Sequence, residues 1–173
     1  MKDTNRAIQF EKLGKSRTFF IYHDEDAAAG FEILGYYSLA IRVFNIPTDV
    51  SNRQRLKLDG LYAKKDNEVI TEVPSILIGQ FGKNDTYADI FAGFELMNYC
   101  LSTIFDGQEK LGGRLLTLEC KDVPSLIKFY GQFAFSKLTG NSVGANGLIQ
   151  MIRILQEHEL VKSPAPDSID LFL

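Results

Sequence analysis

Apolar positions recur along this chain with two periods, and the switches between them mark its elements. Among the first fifteen residues Ala7, Ile8 and Leu13 stand apart among charges, the spacing of a short amphipathic helix. Arg17–His23 is rich in aromatic and β-branched residues and predicts a strand. From Ile33 to Phe44 the pattern alternates, with Ile33, Gly35, Tyr37, Leu39, Ile41 and Val43 on one side. That predicts a second strand, joined to the first by a hairpin across the acidic turn Asp24–Gly30. Residues 45–72 break the pattern. They are polar, carry Arg53, Arg55, Lys57, Lys64 and Lys65, and hold one short helix near Val50–Leu58. We expect an insertion between strands, too poor in apolar residues for a core of its own, whose basic side chains are solvated or face a polyanion.

The second half is more regular. Ser75–Gly82 is a strand, and a loop leads from it into a helix carrying Leu96, Met97, Cys100, Leu101, Ile104 and Phe105 on one stripe. After Gly112-Gly113 comes a buried strand, Arg114–Cys120. Pro124 then opens a helix bearing Leu126, Ile127, Phe129, Tyr130 and Phe133. Phe135–Leu138 and Leu148–Leu155 read as a closing pair of strands about the Gly/Asn-rich turn Thr139–Gly147. The order is α-β-β-(insertion)-β-α-β-α-β-β, which defines an α+β class with a mixed, mostly antiparallel sheet. One domain over residues 1–155 and a polar, proline-bearing tail over residues 156–173 complete the layout.

Composition narrows the function only slightly. The apolar fraction of 45% and charged fraction of 24% are those of an ordinary globular domain. The balance of 19 basic and 22 acidic side chains, −3 overall, argues against an extensive nucleic-acid footprint. Cys100 and Cys120 both lie in apolar patterns and are expected as reduced core thiols. No apolar run is long enough to span a membrane, and the first fifteen residues lack the apolar core of a signal peptide. A soluble, cytoplasmic protein is expected. His23 and His158 have no metal-ligand spacing, so no metal is expected.

A strand feeding a loop at a helix N-terminus is a ready anion site, because first-turn N–H groups and the helix dipole both favour phosphate. Here Ile78-Gly-Gln-Phe-Gly-Lys-Asn84 leads towards Gly93-Phe-Glu-Leu-Met97. Downstream lie Gly113-Arg-Leu-Leu-Thr-Leu-Glu-Cys120, then Leu126-Ile-Lys-Phe-Tyr130, then Ala134-Phe135. With the element order, these segments resemble the GNAT (GCN5-related N-acetyltransferase) superfamily over roughly residues 17–155. The nearest likeness is to small bacterial members that include the aminoacyl-tRNA-modifying toxins.

The resemblance implies a GNAT-like sheet with helices on both faces and acetyl-CoA as cofactor, donating acetyl to a primary amine of an aminoacyl-tRNA, a protein or a small molecule. It assigns the pantetheine-pairing strand edge to Gln80, Phe81, Gly82 and Lys83. The diphosphate loop falls on Ala88, Asp89, Ile90, Phe91, Ala92 and Gly93. Tyr130 is the implied general acid and also borders the cofactor, and the N–H groups near Gln80–Phe81 are the implied carbonyl-polarising donors. No general base stands out: Glu119 at the end of a central strand is one candidate, a water held by Tyr36 or Ser38 is another, and many members of the family need no dedicated base.

The chain departs from the family pattern in three places. Its loop keeps only the last glycine and sets Phe91 and Asp89 within it, Val123 replaces a frequent asparagine, and the family's first strand and helix have no counterpart before Ala7. These departures raise a second reading, a catalytically impaired GNAT-like binding module. They also suggest a homodimer covering the exposed sheet edge. Finally, Ser168-Ile-Asp-Leu-Phe172 resembles a short bacterial sliding-clamp-binding peptide, which would make the clamp a partner of the tail.

Overall fold

The structure, a computed structural model, describes residues 6–23, 32–60, 69–138, 147–156 and 159. The element order is α1 (Arg6–Lys12), β1 (Arg17–His23), β2 (Glu32–Asn45), α2 (Asn52–Asp59), β3 (Glu72–Lys83), α3 (Gly93–Leu111), β4 (Leu115–Lys121), α4 (Pro124–Gly131), β5 (Ser136–Lys137) and β6 (Leu148–Ile154). Six strands form one sheet in the order β1-β2-β3-β4-β6-β5. Every neighbouring pair is antiparallel except β3–β4, which α3 joins as a parallel crossover. This is the mixed, mostly antiparallel α+β architecture expected. β1 is an edge strand, and among the described residues no strand pairs with its outer side.

Alternation along β4 sorts the core into two layers. Leu116, Leu118 and Cys120 join Ile78, Leu96, Met97, Cys100, Ile104 and Tyr130 in the main cluster, under α3 and α4. Leu115 joins Phe44, Ile46, Val50, Leu58, Val73, Leu138 and Ile152 on the other face, under α2. The segment read as a solvated insertion therefore contributes to a shared core. It is tied down by Arg55, which is 5% exposed and donates to the carbonyls of Val50 (2.9 Å), Ile70 (2.6 Å) and Pro47. That corrects Arg55 as a member of a surface basic cluster: carbonyls brought together by the fold compensate the buried cation. Lys64 and Lys65 lie outside the described residues.

Two further expectations shift. Ile41 and Val43, read on one side of β2 with the buried Tyr37, are 69% and 58% exposed. Both cysteines are free and buried as expected. Burial raises the Cys120 thiol and pushes Cys100 up to about 12, so neither is a nucleophile near neutral pH.

Candidate active site

β3 and β4 pair only over Ile76–Leu116, Leu77–Thr117 and Ile78–Leu118, although β3 runs on to Lys83 and β4 to Lys121. The cause is visible on the opposite edge of β3. Ser38 pairs with Gln80 and Leu39 with Ile78, leaving Gly79 as an extra residue. Such a bulge bends a strand and increases its local twist. From Gly79 onwards the edge of β3 that faced β4 pairs with no strand among the described residues, and the two strands part to leave an open cleft edge. Gly79 and Gly82 suit close approach from β2. A Cβ on Gly82 would lie 2.8 Å from the Tyr36 ring, and one on Gly79 would lie 3.3 Å from Ser38 Oγ.

The cleft is bordered on its α4 side by aromatic rings. Phe81 lies 6.1 Å from Phe129 and 6.4 Å from Tyr130 between ring centroids. Tyr130 also meets Phe129 and Phe135 edge to face. It is 8% exposed, its hydroxyl has no hydrogen-bond partner among the described residues, and burial pushes its pKa up to about 12. The group stays protonated throughout the physiological range, poised as a donor. The α4 C-terminus that positions it is tight: Phe135 N–H donates to Tyr130 O at 3.2 Å, and Ala134 adopts φ +61°.

The loop after β3 is held by Asn84. Its N–H donates to Leu34 O, its Nδ2 to Ile33 O, and its Oδ1 accepts from Thr86 N–H, starting a 3₁₀ turn at Asp85–Tyr87. This turn satisfies much of the loop internally. Ala88 N–H donates to Asp85 O, and the N–H groups of Ile90 and Phe91 donate to Tyr87 O. Ala92 N–H donates to Glu95 Oε2 at 2.7 Å. Of the six loop residues singled out, only Asp89 and Gly93 keep an N–H without a partner among the described residues; Phe94 adds a third. Phe91 does not obstruct the loop. Its ring is 5% exposed and packs into the main core. Lys83 is half-buried, with Nζ 3.7 Å from the Asp85 carboxylate.

Glu119 is exposed and, by strand alternation, projects on the face opposite Cys120 and Tyr130. The structure thus brings Gln80, Phe81, Gly82 and Tyr130 to one cleft and sets Glu119 on its far side. Tyr36 lies over Gly82, while Ser38 is buried beside Gly79. Sequence reasoning missed Asn84 and Glu95. The signals were present as an Asn opening a polar turn and an acidic residue at the third position of a helix. A groove of about 760 Å³ opens elsewhere, between α1, β1, β2 and the C-terminal half of α3. It is lined by Phe10, Phe19, Leu39, Ile41, Ile104 and Leu111. Among the described residues no group of side chains could hold a metal ion, and no helix is long and apolar enough to cross a membrane.

A mixed sheet splayed at a bulge, with a crossover helix starting beside the opening, defines the fold of the GNAT acetyltransferases, and this chain has it. The chain superposes on a crystal structure of a bacterial toxin with a TM-score of 0.62, at 15% identity, covering 88% of this chain and 74% of that one. It is similar to AtaTR bound with AcCoA (TM-score 0.60, 16% identity, 85% and 76% covered). It is also similar to AtaT complexed with acetyl-methionyl-tRNAfMet (TM-score 0.58, 15% identity, 85% and 76% covered). At such identities the likeness is one of fold. No protein-family model and no curated protein matches the chain.

Proposed function

We propose that this chain is an acetyl-CoA-dependent N-acetyltransferase acting on a primary amine. The observation that carries the reading is the β3–β4 splay at Gly79, with the unpartnered Tyr130 hydroxyl beside it. The residues present suit the cofactor. The free edge of Gln80–Lys83 offers backbone groups for a pantetheine arm, and the unpartnered N–H groups of Gly93 and Phe94 at the start of α3 suit a diphosphate. Acetyl-CoA, when bound, supplies the activated thioester. The N–H groups near Gln80–Phe81 stabilise negative charge on the carbonyl oxygen, and Tyr130 donates its proton to the departing sulfur. The amine reaches the carbonyl from the Glu119 face, where that carboxylate, directly or through a water, accepts the proton the amine loses.

Fold neighbours supply the context for the acceptor. AtaT is described with an acetylated methionyl-tRNA and, separately, with the C-terminus of the antitoxin AtaR. On that footing an aminoacyl-tRNA is the first acceptor to try and a protein partner the first ligand to seek, with a protein or small amine next. A homodimer across the β1 edge belongs to the same proposal. The tail peptide Ser168–Phe172 lies outside the described residues, so nothing further supports a sliding-clamp partner.

One observation favours the second reading, a binding module without turnover: four of the six loop N–H groups are already engaged within the chain. The two readings separate on transfer of labelled acetyl from acetyl-CoA to aminoacyl-tRNA and to a panel of amines. Transfer to any acceptor supports the enzyme. Tight binding of acetyl-CoA with no transfer to any acceptor supports the module.

A further inference from the structure

Half of β2 has a bare edge. Its pairing with β1 stops at Leu39, opposite Arg17, while its pairing with β3 continues from Ala40 to Asn45. Among the described residues no strand lies on the other side of Ala40–Asn45, and Ile41 and Val43 stand exposed there. Unpaired N–H and C=O groups beside exposed β-branched side chains are a template for one more strand, and globular proteins ordinarily cover such an edge. The groove of about 760 Å³ lies against its first part, where Leu39 and Ile41 line it together with Phe10, Phe19, Ile104 and Leu111. Lys15 and Arg42 border the groove, and neither has an ion pair among the described residues.

The sequence beyond β6 carries the matching pattern. In Ser168–Leu173 the apolar Ile169, Leu171 and Leu173 alternate with Ser168, Asp170 and Phe172, the period of a strand. Ala40–Asn45 and Ser168–Leu173 are each six residues long. Ile41 pairs with Ile76, which packs against the core under α3, and alternation puts Arg42 on the opposite face of the sheet. A strand that lays Ile169, Leu171 and Leu173 on the Ile41 face therefore sets Asp170 on the Arg42 face, opposite charges together. The distance is short. Ile41, Ile76, Leu116 and Arg153 form one row across the sheet, so β6 finishes at the same end as the bare edge. Leu155 N–H donates to Arg114 O at 2.8 Å, two residues from Gly112 in the groove wall. Crossing from β6 to the outside of β2 takes four strand spacings, about 19 Å. The nine residues from Glu159 to Ser168 extend to about 30 Å.

We infer that Ser168–Leu173 of the same chain closes this edge, adding a strand beside Ala40–Asn45 with Ile169 and Leu171 in the groove and Asp170 beside Arg42. The docking surface is separate from the Gly79 splay and does not depend on the chemistry proposed there.

The test is hydrogen exchange of the full chain, followed amide by amide by NMR. The amides of residues 40–45 that point away from β3 are expected to exchange slowly. Leu171→Asp should speed them by about tenfold or more, as loss of a covering strand does, and leave the amides of β4 unchanged. Arg42→Glu and Asp170→Arg should each speed them about two- to fivefold, the worth of a cross-strand charge pair, and the double variant should restore them. That charge reversal reads the same contact even where Leu171→Asp disturbs β4. Fast exchange in the native chain would mean a bare edge and overturns the inference. Slow exchange indifferent to Leu171→Asp and Asp170→Arg means another occupant and overturns it too. So does protection that rises with protein concentration, the mark of a second copy, or a double variant as fast as the single ones.

Discussion

Phe81 on β3 and Tyr130 on α4 meet edge to face, 6.4 Å between ring centroids, just past the point where β3 and β4 cease to pair. The contact ties the splayed strand to the helix that carries the proposed acid. Because the Tyr130 hydroxyl has no partner among the described residues, removing it leaves the packing intact. Tyr130→Phe is expected to lower kcat by roughly 10²- to 10⁴-fold, the range for loss of a general acid. The midpoint of urea unfolding and the affinity for acetyl-CoA should stay close to those of the native chain. A variant with full kcat would remove Tyr130 from the chemistry.

Alkaline stability follows from the same burial. Tyr130 is raised from 10.0 to about 12, and Cys100 from 9.0 to about 12. In each case the folded chain holds its proton more tightly than the unfolded one. The stabilisation is complete below the unfolded pKa and is lost as pH rises through the folded one. Urea unfolding should therefore show a constant free energy up to about pH 9 and a falling one from there to about pH 12. Tyr130→Phe should shallow the fall above about pH 10. An identical slope in the variant would contradict the assignment.

Ala134 is the only described non-glycine residue with positive φ, at +61°. It lies in the turn that follows α4, immediately before Phe135, whose N–H closes the turn on Tyr130 O. A left-handed alanine costs about 1–2 kcal/mol, partly offset by the greater unfolded-state freedom of glycine. Ala134→Gly should raise stability by about 0.5–1 kcal/mol, read from the urea midpoint, without changing turnover. A loss of stability would show that the Ala134 methyl makes a compensating contact.

Arg55 holds the segment after β2 against the sheet through carbonyls at residues 47, 50 and 70. Arg55→Ala strands those acceptors and should cost about 2–4 kcal/mol in urea unfolding. Arg55→Lys should lose much of the same, since one ammonium does not reproduce the planar fork. A cost within about 0.5 kcal/mol, that of an ordinary surface change, would return Arg55 to the solvated role its sequence context suggested.

That contrast shows what the sequence could reveal. β1 was read with its true bounds, Arg17–His23, and the helix and strand order of the second half also stood, because periodicity is a local signal. The proposed roles of the strand edge Gln80–Lys83 and of Tyr130 rest on resemblance; what the structure adds is that Phe81 and Tyr130 are neighbours. What was not legible depends on register or on tertiary neighbours. Gly79 becomes a bulge only when Ser38 and Leu39 set the pairing across it. Phe91 reads as an obstruction in a loop, yet its ring turns into the core. Arg55 reads as surface charge because nothing local announces the carbonyls that surround it. The engagement of the loop N–H groups by the turn at Asp85–Tyr87 was invisible for the same reason.

The central claim is that the splayed edge of β3, with the open N–H groups of Gly93 and Phe94, takes acetyl-CoA. Isothermal titration of acetyl-CoA into the purified full-length chain tests it most directly. The account predicts saturable binding at one site per chain, abolished when Gly82→Val drives a side chain into the Tyr36 ring and displaces the strand edge. No heat of binding at millimolar acetyl-CoA, or binding indifferent to Gly82→Val, would contradict it.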